Sequence, residues 1–328
     1  MADVICMGEL LIDFVSTQAN VSLADTPGFV KAPGGAPANV AVALTRLGLS
    51  AAFVGKVGDD PFGDLLRHTL DRAGVDTRYL RVDDDARTTV VFVAVWDDGR
   101  KNMCFYRNPG ADMLLRPDEI DPAMFDGARC FHYGSISFID EPVASAQRHA
   151  LELAKARGLM ISYDPNYRPT LWPSEARARE VIQASFADAH LAKIAEEEWE
   201  IATGHTDLDR GIQAVLDRGV ELLVISRGER GSIATNGDYR IELPAINVNV
   251  VETTGAGDAF LGAMITRLLP QRERLGSLSK IDRGTVEDAL TFANAVGALT
   301  CTKAGAIPAL PTLDAVRTFI ARMPHNET

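Results

Sequence analysis

The chain has 328 residues, 46% of them hydrophobic, and 33 Lys+Arg against 45 Asp+Glu give a formal charge of -12. That balance excludes a disordered or fibrous chain, and the acidic surface disfavours nucleic acid and anionic membranes as partners. Cys6, Cys104, Cys130 and Cys301 form no C-x-x-C pair and the six histidines no H-E-x-x-H, so neither residue type announces a metal centre.

In chain order, Val4–Met7 reads as a buried strand and Phe14–Thr17 and Phe29–Ala32 as short strands. Ala38–Leu47 follows Gly34-Gly35 as a helix, and Ala51–Val57 is a strand. Asp60 then caps a helix with Pro61 at its first position, running to Ala73. The run Asp83-Asp84-Asp85 reads as a solvated loop. Thr88–Trp96 and Lys101–Arg107 flank Asp97-Asp98-Gly99-Arg100, a hairpin signal. Thereafter helices at Glu141–Arg157, Ser174–Phe186 and Asp207–Arg218 alternate with strands at Met160–Tyr163, His190–Ile194 and Glu221–Ser226. A second hairpin joins Ser232–Thr235 to Tyr239–Leu243, and helices Gly257–Leu268 and Val286–Cys301 complete the pattern.

This alternation predicts a three-layer α/β fold, a mainly parallel sheet with helices on both faces. The β-rich stretches without helices, about 13–33 and 86–112, predict a small β-sheet lid on a single domain spanning 1–328. No window of about 18 uncharged apolar residues and no basic, then apolar, leader stands in the sequence. A cytoplasmic location is the expectation.

The most informative segment is Val250–Phe260, in which a β-branched run enters Thr253-Thr254-Gly255-Ala256-Gly257-Asp258 ahead of a helix. Glycine permits close approach, and the first helical N–H groups with the macrodipole behind them favour an anion such as phosphate. No Lys follows the second glycine, as a P-loop requires, and Phe260 stands where a dinucleotide fingerprint has its third glycine. Asp258 instead puts a carboxylate at the anion site. Such an acid can orient an acceptor hydroxyl and take its proton, or simply cap the helix. The helix dipole is expected to lower its pKa. Upstream, Gly34-Gly35-Ala36-Pro37-Ala38-Asn39 is a second close-approach turn, with Asn39 one turn inside its helix and Asp13 after a strand.

These two strings together resemble the paired signatures of the ribokinase-like (PfkB) carbohydrate kinases. Phe105–Leu115, Phe131–Ser137, Tyr163–Arg168 with Leu171-Trp172-Pro173, and Lys303–Pro311 extend the resemblance towards plant-type fructokinases, over about residues 3–320. The resemblance implies ATP-dependent phosphorylation of D-fructose at its 6-hydroxyl with Mg2+, and leaves a K+ requirement open at Glu252. It assigns Asp258 as base, and Gly255, Ala256 and Gly257 as the anion hole. Asp13, Gly34, Gly35 and Asn39 match sugar positions, and Arg107 and Arg168 positions facing sugar or phosphate. Ser226, Gly228 and Gly231, with Asn294, match the nucleotide side. The family's Asn-x-x-Glu reads Ala195-Glu196-Glu197-Glu198, which keeps only Glu198 for a magnesium-associated role. Sugar and ATP are thus the expected partners. Apolar lid residues such as Val91, Val93 and Val95 would favour a homodimer through the lid if exposed, and could equally pack on the main domain. The alternatives are a sister kinase acting on 2-keto-3-deoxygluconate or another sugar, and a silent sugar- or nucleotide-binding regulator. The intact Gly255, Gly257 and Asp258 disfavour the regulator.

Overall fold

Apolar runs without alternation become strands buried on both faces. The structure, a computed structural model, describes residues 1–97 and 100–323. Its first part gives β1 (Val4–Met7), β2 (Leu11–Ser16), β3 (Phe29–Gly34), α1 (Ala36–Arg46) and β4 (Ala51–Gly58). α2 (Pro61–Arg72), β5 (Leu80–Asp83), β6 (Val90–Val95) and β7 (Lys101–Tyr106) follow. Then come β8 (Cys130–Gly134), α3 (Val143–Ala156), β9 (Met160–Asp164), α4 (Glu175–Ser185) and β10 (Leu191–Ala195). Two short helices, α5 (Trp199–Thr203) and α6 (Leu208–Leu216), precede β11 (Leu222–Ser226), β12 (Ser232–Thr235) and β13 (Arg240–Leu243). The chain closes with α7 (Ala256–Leu275), α8 (Arg283–Thr300) and α9 (Leu313–Arg322).

Nine strands form one sheet in the order β13-β12-β11-β10-β9-β8-β1-β4-β5. It is parallel except at β11–β12 and β12–β13, so the second hairpin does extend the main sheet. In β1, Val4 and Cys6 join a core beneath α1, α7 and α8, while Ile5 and Met7 join a separate core beneath α3, α4 and α6. That two-sided burial is the three-layer α/β fold the alternation implies.

The expected helix cap is present: Asp60 Oδ1 accepts from the Phe62 and Gly63 N–H groups, both at 2.9 Å, with Pro61 at the first position. α7 outruns its expected end at Leu268 and carries Pro270 within it. Leu268 and Leu269 are fully buried, and this packing carries the helix past the missing main-chain donor until Gly276, at φ 81°, ends it. Asp83 is not loop but the last residue of β5, facing Lys56 at 3.4 Å. Strands β5 and β8 escape the sequence pattern because one has four residues and the other, Cys-Phe-His-Tyr-Gly, lacks β-branched residues.

A second sheet, β3-β2-β6-β7, stands apart from the first. β6 and β7 pair antiparallel from Val90↔Tyr106 to Val95↔Lys101; the tip of the expected turn, Asp98-Gly99, lies outside the described residues. Val91 and Val93 are buried with Leu11 on its inner face, not exposed as a pairing surface. On the outer face Phe14 stacks on Phe92 with centroids 5.2 Å apart and meets Phe62 of α2 edge-on. Val30 and Tyr106 are the exposed apolar residues of this sheet.

Candidate active site

In an open parallel sheet, ligands settle beyond the carboxyl ends of the strands where the connections diverge to opposite sides. Here β1 connects onward to one side and β8 to the other. Segments after β1, β8, β9 and β10, roofed by the inner face of the small sheet, enclose a cavity of about 520 Å3.

Asp258 opens its floor. Gly255 lies at φ 81°, where a Cβ would come within 3.1 Å of Ala306, and this left-handed residue turns the chain into α7. Asn39 of α1 donates from Nδ2 to Asp258 Oδ2 at 2.7 Å, joining positions 219 residues apart. Asn39 is buried, and its Oδ1 has no hydrogen-bonding partner. Burial pushes the Asp258 carboxyl up to about 6 despite the Asn39 amide and the Lys193 and Arg168 charges that lower it. The expected lowering by the helix dipole is therefore reversed. At neutral pH the group is still mainly ionised, and it is a better base than an ordinary aspartate.

Asp13 projects from β2 into the same cavity, with burial pushing its carboxyl up to about 6 against the opposing pull of Lys101 and Arg168. Gly34 is glycine because a Cβ there would lie 2.4 Å from Asp13 Oδ2. Gly35, at φ 115°, would put a Cβ 2.4 Å from the Glu9 carbonyl oxygen. Arg168 lines the cavity after Asn166, a non-glycine residue at φ 46°. The structure thus brings together Asp13, the Gly34-Gly35 turn, Asn39, Arg168 and Gly255–Asp258.

Other expected residues sit elsewhere. Arg107 is buried in an ion pair with Asp112 at 2.7 Å and does not line the cavity. The Ala256 N–H is engaged by the Thr253 carbonyl at 3.2 Å, so the amides beside the cavity are those of Gly255 and Gly257. Glu198 accepts from the Ala195 N–H at 2.9 Å and the Tyr167 N–H at 2.7 Å, one through each oxygen. It braces the loops, and Glu197 is the acid that reaches the cavity. Among the described residues no group of three His, Cys, Asp or Glu is placed to hold a metal ion. Ser226 pairs in register with Ala195 one strand beyond the cavity wall. Gly231, at φ 90°, leaves no room for a Cβ against Leu243, and Asn294 accepts from Ser232 Oγ at 2.9 Å. Gly228 begins the short turn between Ser226 and Gly231.

Three residues of the site escaped the sequence reading. Lys193, buried in β10, pairs with Asp164 at 3.0 Å, and a Cβ on Gly257 would meet its Nζ at 3.2 Å. A lysine inside the buried run His190–Ile194 was the available signal. Lys101 reaches from β7 to donate to Thr254 Oγ1 at 2.9 Å, tying the small sheet to the glycine turn. Glu9, buried just beyond the end of β1, also lines the cavity.

The sequence matches the pfkB family carbohydrate kinases over residues 1–313. The chain belongs to that family. As a carbohydrate kinase it is similar to fructokinase-1 of Oryza sativa subsp. japonica, 47% identical over 310 residues that cover 94% of each chain. The crystal structure of a Xylella fastidiosa fructokinase with bound ATP aligns at a TM-score of 0.86 and 32% identity, covering 98% of this kinase and 99% of that chain. A Vibrio cholerae fructokinase bound to fructose, ADP and potassium aligns at 0.85 and 31%, covering 97% and 98%.

Proposed function

We propose that this kinase transfers the γ-phosphoryl group of ATP to the 6-hydroxyl of D-fructose. The carrying observation is the Asn39–Asp258 pair facing Asp13 across one cavity beside the first turn of α7. Asp13 accepts sugar hydroxyls with Asn39 lining the cavity beside it, and the Gly34-Gly35 turn lets the ring approach the main chain. Asp258 accepts the proton of the attacking hydroxyl. The Gly255 and Gly257 amides face the oxygens of the transferred phosphoryl, with Lys193 and Arg168 supplying charge nearby. ATP extends from this point over Ser226, Gly228 and Gly231 towards Asn294. Mg2+ neutralises phosphate charge as the companion of the nucleotide. Glu198 does not fit as its ligand, because both oxygens are engaged, and no step here runs through a protein-bound metal. The Glu252 carboxylate, where potassium was in question, accepts from the Gly305 N–H at 2.7 Å.

The small sheet acts as the lid of a single domain. Leu11, Val93 and Met103 give the cavity a dry roof, so that the sugar rather than water accepts the phosphoryl group. The outward Tyr106 is the residue through which two lids would pair, with Cys104 on the same face also exposed. The setting suits a neutral polyol better than a sugar acid. Arg107 is held by Asp112, which leaves Arg168, Lys101 and the Asp164-paired Lys193 among Glu9, Asp13, Glu197, Glu252 and Asp258. ADP release measured with fructose, ribose, glucose, tagatose and 2-keto-3-deoxygluconate tests the assignment. Fructose should give the highest kcat/KM, and a clear preference for any other sugar overturns it.

A further inference from the structure

Glu9 stands two residues beyond the end of β1 and is 5% exposed. Its Oε1 accepts from the N–H of Ala36 at 2.8 Å. Ala36 is the first residue of α1, and the cap residue before it, Gly35, has no side chain to serve the orphan donors. A carboxylate from 27 positions upstream supplies that cap, where the helix dipole favours negative charge. The main chain of Glu9 fixes the same turn from the other side, since its carbonyl oxygen occupies the space a Cβ on Gly35 would need. One turn into α1 stands Asn39, which holds Asp258. Glu9 therefore sits at the root of the sugar turn and of the chain of contacts that aims the base.

The groups facing it are few. Burial pushes the carboxyl up to about 7, outweighing its own N–H, the Ala36 N–H and Arg107, which favour the ionised form, while Asp112 opposes that form. Asp13 and Asp258 share the cavity but titrate lower, at about 6.

We propose that Glu9 is a positioning residue of the sugar site, its ionised carboxylate clamping the Gly34-Gly35-Ala36 turn and thereby setting sugar affinity and, through Asn39, the aim of Asp258. The inference rests on reading the cavity as the sugar site. When Glu9 takes up a proton, the charge at the helix end is lost and the turn loosens. The sugar then binds less well while the nucleotide end of the cleft is untouched.

The test measures kcat and KM for fructose and for ATP from pH 6 to 8.5 in the wild-type kinase, Glu9→Gln and Glu9→Ala, with melting temperatures confirming the fold. Glu9→Gln keeps an acceptor for Ala36 but cannot titrate. In the wild type the fructose KM should rise as pH falls through about 7 and level off about tenfold higher, at the Glu9→Gln value. In Glu9→Gln it should start about tenfold high and stay level between pH 6.5 and 8, with the ATP KM within twofold of wild type. Glu9→Ala should raise the fructose KM further and lower kcat. A Glu9→Gln profile that tracks the wild type through pH 7, or an ATP KM that moves as much as the fructose KM, overturns the proposal. Wild-type kinase that releases no ADP in response to any sugar overturns the sugar-site reading as well, which separates the two failures.

Discussion

The two sheets of this kinase solve different problems. The nine-stranded sheet is covered on both faces, and β1, β10 and β11 present runs with almost no exposure. The four-stranded sheet buries only Leu11, Val91 and Val93 as a core of its own, and it turns one face to the cavity and the other to solvent. The large sheet fixes where Asp258, Lys193 and Glu9 stand. The small sheet is held to the body by the Phe14–Phe62 contact and by Lys101 on Thr254. On the proposed function the catalytic groups belong to the doubly covered layer, and exclusion of water to the lightly held one.

Substitutions in each layer can break or sharpen that contrast. The largest effect should come from Asp258→Asn, which removes the base and lowers kcat by about 10²–10⁴-fold. The same change should raise the melting temperature at pH 8. Burial raises the folded-state pKa of Asp258 to about 6, so the ionised form costs stability above that pH. The gain should fade as pH falls below about 6, where the wild type takes up its proton. A variant that loses activity but is not stabilised at pH 8 would separate the base role from the buried charge.

Next in size, Leu222→Ala in the main-sheet core should cost about 2–5 kcal/mol by chemical denaturation, with kinetic constants near normal in the molecules that remain folded. Leu11→Ala on the lid's inner face should cost less than that and instead raise the fructose KM. Equal stability losses would erase the distinction between the two sheets.

Lys101→Met should leave stability unchanged and raise the ratio of ADP formed to fructose phosphorylated, as water enters beneath a lid no longer tied to Thr254. Coupled and uncoupled turnover read this directly, and an unchanged ratio would sink the tethering role. The smallest effect is expected on the pH axis of the wild type. kcat at saturating fructose should fall by up to tenfold per unit as pH drops below about 6, where Asp258 takes up its proton, and a profile level down to pH 5 would contradict the raised carboxylate.

Residues whose function is written in local geometry were visible in the sequence. Asp60-Pro61 gave a cap, Gly34-Gly35 and Gly255–Asp258 gave turns into helices, and strand runs without alternation gave a doubly covered sheet. Arg107 misled, because a guanidinium at the end of a lid strand fits either a ligand or a buried carboxylate, and only the fold brings Asp112 to it. Val91 and Val93 stayed open between pairing and packing on the body, since alternation marks two faces without saying which one the body covers.

By itself, then, the sequence determined the layers and the two glycine turns and singled out Asp258 as the candidate base, since each depends on residues within one or two helical turns. Only the tertiary structure decided that Asn39 holds Asp258, that Lys193 and Lys101 converge on the glycine turn, and that burial rather than the helix dipole governs the base. Those outcomes depend on distances between segments far apart in the chain and on how much water the assembled layers exclude, and neither quantity exists until the two sheets meet.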